Sequence, residues 1–117
     1  MAPTVLIVDD HAEFRAAAEA ILEHDGWRVV GAVKDGETAL AFAEWVRPDV
    51  VLVDIQLPGM DGFVVAERLA TVADSPAVVL VSSREAAAYA GRLRTSSARG
   101  FIPKRSLTGG ALAALVA

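Results

Sequence analysis

The feature that most constrains this chain is an alternation of short apolar runs with longer stretches of helical periodicity. Five runs are rich in β-branched residues, namely TVLIVD, WRVVGAV, DVVLVD, AVVLVS and RGFIP. Strands that alternate with helices build a parallel sheet with helices packed on both of its faces. The sequence therefore predicts an α/β fold, a doubly wound five-stranded parallel sheet with right-handed crossovers.

The composition of each run indicates where its strand lies. The first, third and fourth runs are almost continuously apolar, as expected for central strands buried on both faces. The second run is weaker around Gly31 and suits an edge. Between the runs, helices are expected to end at Asp25-Gly26, before Pro48 and at Asp74-Ser75-Pro76.

Two further helices are expected near the end of the chain. One is alanine-rich and is predicted near Arg84 to Leu93. The other follows Ser106 and carries Gly109-Gly110. We expect it to be the least stable helix, because each glycine costs about 1 kcal/mol in a helix interior.

The size and composition fit one domain, which we expect to span residues 1–117, with 54% hydrophobic residues and no cysteine. Disulfides and thiolate metal sites are thereby excluded, and His11 and His24 alone do not favour zinc. No segment approaches the ~20 apolar residues that cross a bilayer, and Asp9 and Asp10 interrupt the first run too early for a signal peptide. We therefore expect a soluble, cytoplasmic protein without a membrane partner.

The net charge of −4 is unevenly distributed, because acidic residues dominate before residue 84 and only Glu85 is acidic after it. The cations in this last part are Arg84, Arg92, Arg94, Arg99, Lys104 and Arg105. They form either a solvated surface or a docking face for an acidic partner. The cluster is too short and too poor in aromatic residues to favour nucleic acid.

Polar residues stand where the predicted strands end. They are Asp9 and Asp10 after the first, Asp54 after the third, Ser82 and Ser83 after the fourth, and Lys104 after the fifth. In a doubly wound sheet the functional crevice lies beyond these carboxyl ends. Each residue alone would serve as a helix cap, a turn residue or a solvated cation, and His11 is expected to be an exposed first-turn residue. Their joint placement is what indicates a site.

Three neighbouring carboxylates repel one another unless a cation compensates them. Oxygen ligands without cysteine or histidine suit Mg²⁺, which accepts one or two carboxylates together with waters and a phosphate. Asp54 could then attack phosphorus, while Lys104 and a serine hydroxyl meet the transferred oxygens.

Other phosphate chemistries fit less well. The first turn, VDDHAE, has neither a dinucleotide-binding nor a P-loop glycine pattern. A phosphatase of the haloacid-dehalogenase type would carry D-x-D, whereas the acids here are adjacent, and the chain has no segment for a cap domain.

The sequence resembles the receiver domain of two-component response regulators over essentially its whole length. The resemblance is carried by Asp9-Asp10, by DIQLPGMDG from Asp54 to Gly62, by Ser82 and by GFIPK from Gly100 to Lys104. It implies a flavodoxin-like sheet with strand order 2-1-3-4-5. GFIPK is similar to receivers of LuxR/NarL-type regulators, so the chain is either a stand-alone receiver or part of a longer regulator. DNA would then be contacted only through an output domain outside this sequence.

The resemblance also implies roles for individual residues. Asp54 would accept a phosphoryl group from the phosphohistidine of a histidine kinase or a phosphotransfer protein. Mg²⁺ would be held by Asp10, Asp54 and the carbonyl of Gln56, with Asp9 just behind them. Ser82 and Lys104 would contact the phosphoryl oxygens, and Phe101 would be the switch aromatic. Arg105 stands where proline is common in relatives, so a cis peptide bond before it is not assumed.

A phosphoryl group adds roughly −1.5 to −2 charge and three acceptor oxygens. We expect it to pull Ser82 and Lys104 inward and reshape the face of the fourth helix, fifth strand and fifth helix, which would contact an output partner or a second copy. The protein would then be a phosphoacceptor switch that catalyses only its own phosphorylation and dephosphorylation. The alternatives are an unphosphorylated interaction module and a small Mg²⁺-dependent phosphatase.

Overall fold

The computed structural model describes residues 2–117. The strands are β1 (Thr4–Val8), β2 (Arg28–Val33), β3 (Val50–Asp54), β4 (Ala77–Ser82) and β5 (Gly100–Pro103). The α-helices are α1 (Ala12–His24), α2 (Gly36–Val46), α3 (Gly62–Ala70), α4 (Ala90–Thr95) and α5 (Gly109–Val116). Short 3-10 helices cover Ala86–Tyr89 and Lys104–Ser106.

The strands form one parallel sheet in the order β2-β1-β3-β4-β5. This confirms the doubly wound, flavodoxin-like fold, with the weaker second run at an edge. The chain passes from β1 out to β2 and then returns across β1 to β3, so the winding reverses between β1 and β3. The crevice of such a sheet opens at this reversal.

Alternate side chains of the central strands enter two separate hydrophobic cores. The core formed with α2 and α3 includes Leu6, Val8, Val51 and Val53. The core formed with α1 and α5 includes Val5, Ile7, Val50 and Leu52. Because both faces are covered, the inner residues of β1 and β3 are apolar, and only the residues at the strand ends are free to be polar.

The fourth helix differs from the prediction over Arg84 to Leu93. The 3-10 helix at Ala86–Tyr89 comes first, and α4 begins only at Ala90 and ends at Thr95. None of the residues in either element is buried. Alanine supplies helix propensity there but no apolar face that would anchor a longer helix.

The glycines of the fifth helix lie in its first turn and not in its interior, so the expected interior cost does not arise. Thr108 caps α5 through its side chain, which accepts the Ala111 N–H. Gly109 donates its N–H to Asp25 Oδ2 at 2.7 Å, and its carbonyl accepts the Trp27 indole N–H at 3.1 Å. A Cβ at Gly109 would collide with the Asp25 side chain, so glycine allows α5 to dock on the end of α1.

Two further features of the described chain bear on the expectations from sequence. All peptide bonds within residues 2–117 are trans, including that between Lys104 and Arg105. Over the same range, each helix is too short or too polar to cross a bilayer.

Candidate functional site

Two buried aspartates lie at the carboxyl ends of the two central strands. Asp9 follows β1 directly and is fully buried, while Asp54, the last residue of β3, is 2% exposed. The N–H of Asp9 donates to the Val33 carbonyl at 3.0 Å, which extends the β1–β2 pairing by one residue and fixes Asp9. Asp10 is exposed at the mouth of the same crevice.

The loop after β3 returns very close to the backbone of Asp54. The Gly62 N–H donates to the Ile55 carbonyl at 2.9 Å. A Cβ on Gly62 would overlap the carbonyl oxygen of Asp54 and would lie 2.8 Å from Ile55 Cα. Backbone atoms cannot move aside as a flexible side chain can, so only glycine fits where the loop enters α3. This close approach fixes the position of Asp54.

Asp61 caps α3, and an aspartate directly before an apolar helical stretch is a typical N-cap. Its Oδ1 accepts the Val64 N–H at 3.0 Å, and its Oδ2 pairs with Arg92 Nη2 at 3.0 Å. Burial alone would raise the pKa of Asp61, but the hydrogen bonds from Val64 and Arg92 outweigh it and lower that pKa overall. The carboxylate therefore joins the start of α3 to α4.

Lys104 extends from the end of β5 to both buried aspartates. Its Nζ lies 2.6 Å from Asp9 Oδ2 and 3.2 Å from Asp54 Oδ2. The ammonium also lies 4.5 Å from the centroid of the Phe14 ring, and the side chain is 15% exposed. The aromatic face adds cation–π attraction, so Lys104 is held over the crevice from two sides.

Burial dominates the electrostatics of Asp54. It raises the pKa of this carboxyl, and the nearby Asp9 charge acts in the same direction. The Gln56 N–H, which donates to Asp54 Oδ1 at 3.1 Å, and the Lys104 charge oppose the rise without cancelling it. Burial lowers the pKa of Lys104, but the hydrogen bond to Asp9 and the two carboxylate charges outweigh it, so the pKa of Lys104 is raised. One lysine thus compensates two buried acids incompletely.

The donor atoms in the crevice fit a hard cation. Ligand atoms of Asp9, Asp10, His11 and Asp54 all lie within 4.8 Å of one another. Asp9 Oδ2 is buried, and the Lys104 ammonium lies 2.6 Å from it. One ammonium shared by two buried carboxylates leaves negative charge uncompensated, and oxygen-rich sites of this kind suit Mg²⁺. Gln56 is exposed beside them, on the loop that follows β3.

His11 is exposed, as expected, but its ring turns back toward the acids. The ring Nδ1 lies 3.2 Å from Asp9 Oδ1 and 3.1 Å from Asp10 Oδ1. The backbone N–H of His11 donates to Asp9 Oδ1 at 2.8 Å. Sequence reasoning missed this arrangement. The signal that could have found it is the position of His11 directly after the acidic pair, where a tight turn into α1 folds the ring back.

Ser82 ends β4 and is fully buried. Its hydroxyl makes its hydrogen bonds to the segment that directly follows the strand. Its Oγ accepts the Arg84 N–H at 3.0 Å and lies 3.0 Å from Tyr89 Oη. Phe101 is half-buried in β5, with its ring centroid 6.1 Å from that of Tyr89. Ser83, by contrast, is exposed. Tyr89 was missed from sequence, because a lone aromatic in an alanine-rich stretch reads as a helix residue.

The basic cluster lies around α4, β5 and the start of α5, which we call the α4–β5–α5 face. Besides Lys104, two of its members have acidic partners, Arg92 with Asp61 and Arg105 with Glu85 at 2.6 Å. Arg92 also lies over the Phe63 ring, 4.1 Å from its centroid. The remaining arginines, Arg84, Arg94 and Arg99, are exposed.

A flavodoxin-like sheet with a crevice of aspartates, a lysine and a buried serine defines a class of small α/β signalling domains. The model of the response regulator receiver domain family matches residues 5–116. The chain belongs to this family, and it is a receiver domain of the response regulator type.

Individual relatives agree with this assignment. The Fimbriae Z protein of Salmonella typhimurium is 34% identical over 103 residues, covering 87% of this chain and 49% of that protein. The transcriptional regulatory protein PdtaR of Mycobacterium tuberculosis is 32% identical over 108 residues, covering 85% and 53%. Among solved structures, the signal receiver domain of NarL from Mycobacterium tuberculosis superposes with a TM-score of 0.90 at 30% identity, covering 98% of this chain and 96% of that one. This chain thus spans about half the length of these curated relatives and nearly all of that isolated receiver.

Proposed function

We propose that this receiver is a phosphorylation-controlled switch in which Asp54 accepts a phosphoryl group from the phosphohistidine of a histidine kinase or a phosphotransfer protein. The observation that supports it best is the setting of the Asp54 carboxylate. It is buried at a strand end, is contacted by Lys104 at 3.2 Å, and has carboxylate oxygens of Asp9 and Asp10 within 4.8 Å.

The transfer is a substitution at phosphorus. An Asp54 carboxylate oxygen forms the new P–O bond while the P–N bond to the donor imidazole breaks. The bonding pair returns to the imidazole nitrogen, which takes up a proton. The product is an acyl phosphate on Asp54. The same chain supplies the groups that stabilise the transferred oxygens, so the domain catalyses its own phosphorylation and, with water as acceptor, its own dephosphorylation, which returns the Asp54 carboxylate and releases inorganic phosphate.

The cation we assign to the crevice is Mg²⁺, held by Asp10, Asp54 and the carbonyl of Gln56, with Asp9 behind them. When bound, it neutralises charge between the carboxylates and the phosphoryl oxygens. Lys104 is already within reach of Asp54 and is placed to pair with a phosphoryl oxygen. The buried Ser82 hydroxyl is the second donor, and Phe101 packs nearby as the aromatic that responds when Ser82 moves.

The output of the switch is assigned to the α4–β5–α5 face. Phe101 of β5 and Lys104, which follows β5, connect the crevice to this face, which also carries the exposed Arg84, Arg94 and Arg99. Phosphorylation adds about two negative charges to the crevice, and this changes the contacts of the groups that hold the face in place. Its partner is an acidic output surface or a second copy of the chain. Residues 1–117 act as one receiver unit, and any DNA contact belongs to a separate output domain.

The direct test is intact mass after incubation with acetyl phosphate and Mg²⁺. We expect the wild-type chain to gain one phosphoryl group, and to gain none when Mg²⁺ is chelated. Asp54→Asn should gain none under any condition, because an amide oxygen cannot form the acyl phosphate. This variant should remain folded, since it removes a charge whose burial is unfavourable.

The matched control is Asp61→Asn, at an aspartate in the same loop. Asparagine caps a helix as well as aspartate does, so phosphorylation should proceed. A wild-type chain that gains no phosphoryl group, from acetyl phosphate or from a phosphohistidine donor, would contradict the proposal and favour an unphosphorylated interaction module.

A further inference from the structure

Tyr89 occupies a position that the proposed function does not explain. It is the last residue of the 3-10 helix that precedes α4, and its hydroxyl lies 3.0 Å from the hydroxyl of Ser82. Ser82 is the residue assigned to the phosphoryl oxygens. Both hydrogen bonds of its Oγ, to the Arg84 N–H and to Tyr89 Oη, run to the connection between β4 and α4 and not to the crevice.

The hydrogen-bonding capacity of Ser82 makes this contact significant. A serine hydroxyl has one proton and two acceptor positions, and it is fully buried here. Arg84 and Tyr89 together fix where the oxygen points. When the hydroxyl changes rotamer to donate to a phosphoryl oxygen on Asp54, its oxygen moves away from Tyr89 Oη and that hydrogen bond is lost.

The Tyr89 ring is seated so that its hydroxyl stays in place. It packs between Phe63 and Phe101, with ring centroids 6.0 and 6.1 Å away and interplanar angles of 59° and 52°. These tilted arrangements are favourable for aromatic pairs. The ring therefore has two apolar neighbours that hold it, and its one polar atom is directed at Ser82.

We propose that Tyr89 is a positioning residue that holds the Ser82 hydroxyl in its resting orientation, and that phosphorylation of Asp54 exchanges the Ser82–Tyr89 bond for a bond from Ser82 to the phosphoryl group. This inference rests on the proposed function, and it names the residue that holds Ser82 away from the phosphorylation site in the unmodified protein. The released Tyr89 hydroxyl is half-buried and is free to bond to water instead.

The exchange reaches α4 directly, because Tyr89 is joined to Ala90, where α4 begins. No residue of α4 is buried, and Leu93 is only partly buried against the core. Arg92 pairs with Asp61 and lies over Phe63, and Phe63 is also a ring neighbour of Tyr89. A change at Tyr89 therefore alters both the start of α4 and the ring that its arginine contacts.

The test uses beryllofluoride, which mimics a phosphoryl group without covalent turnover. Wild type and Tyr89→Phe are titrated with Be²⁺ at fixed fluoride and Mg²⁺, and the Arg84 amide is followed in ¹H–¹⁵N spectra. Tyr89→Phe keeps the ring packing and removes only the competing hydroxyl. We expect half-saturation at a Be²⁺ concentration lower by on the order of fivefold, the effect of one net hydrogen bond that no longer has to break.

A double-mutant cycle separates this role from ordinary packing. In a Ser82→Ala background, Tyr89→Phe should leave the half-saturation point unchanged, because the partner of the hydroxyl is gone. If wild type binds and Tyr89→Phe binds equally or more weakly, or if the gain persists without Ser82, the role of Tyr89 is overturned and the proposed function stands. If wild type shows no saturable binding, the proposed function itself fails and this inference fails with it.

Discussion

Replacing Lys104 with methionine is expected to lower the free energy of unfolding by about 2 to 4 kcal/mol in metal-free protein. The substitution removes the ammonium that both buried carboxylates share, while the Arg15 guanidinium bonds to the backbone carbonyl of Asp9 and not to its carboxylate. This loss is somewhat smaller than the loss expected for a fully buried ion pair, because the Lys104 side chain keeps 15% exposure. The pKa of Lys104 is raised in the folded protein. The stability that Lys104 contributes is therefore fully present below its unfolded pKa of 10.5, and it is lost only as the pH rises through the raised pKa. Denaturant unfolding at neutral pH measures it.

Lys34→Met is the matched control, because Lys34 is the other lysine of the chain and is exposed. It should change stability by less than about 0.5 kcal/mol. Added Mg²⁺ should stabilise Lys104→Met more than it stabilises the wild type, since the cation then compensates both carboxylates. Equal stability of the two lysine variants, or equal stabilisation by Mg²⁺, would show that Lys104 does not balance the buried acids.

Gly62→Ala is expected to destabilise the fold by about 2 to 3 kcal/mol and to slow phosphorylation. The added Cβ meets the backbone of Asp54 and Ile55, so either the loop or the end of β3 must move. Movement of β3 displaces the proposed phosphoacceptor itself. Unfolding experiments give the first effect, and the rate of mass gain with acetyl phosphate gives the second.

Gly91→Ala provides the opposite expectation at another helical glycine. Nothing lies within 4 Å of a Cβ placed there, so alanine should stabilise α4 by up to about 1 kcal/mol. If Gly62→Ala were as harmless as Gly91→Ala, the close approach of the loop to Asp54 would not be a constraint, and the placement of Asp54 would need another explanation.

The fold was predictable because its central strands follow simple rules. Apolar runs buried on both faces read as strands, and the acids and serine that break them mark the carboxyl ends of β1, β3 and β4. Parallel packing then brings those ends to one edge, so the crevice follows from strand order alone. The N-cap role of Asp61 was likewise readable from its place before an apolar helix.

What could not be predicted depends on contacts between distant segments. α4 begins late because none of the residues in the preceding 3-10 helix or in α4 itself is buried, and an alanine-rich sequence does not reveal this. The glycines at the start of α5 are explained only once Asp25 is known to lie against them. Tyr89 shows the same limit, since nothing in its neighbours in sequence indicates Ser82 as the partner of its hydroxyl.

The measurement that tests the central claim most directly is the location of the phosphoryl group. After incubation with acetyl phosphate and Mg²⁺, borohydride reduces an aspartyl phosphate to homoserine, and peptide mass spectrometry identifies the converted residue. The account predicts homoserine at position 54, and unmodified aspartate at Asp9, Asp10 and Asp61. Conversion at any of these other aspartates, or phosphorylation that survives as a serine ester at Ser82, would contradict it.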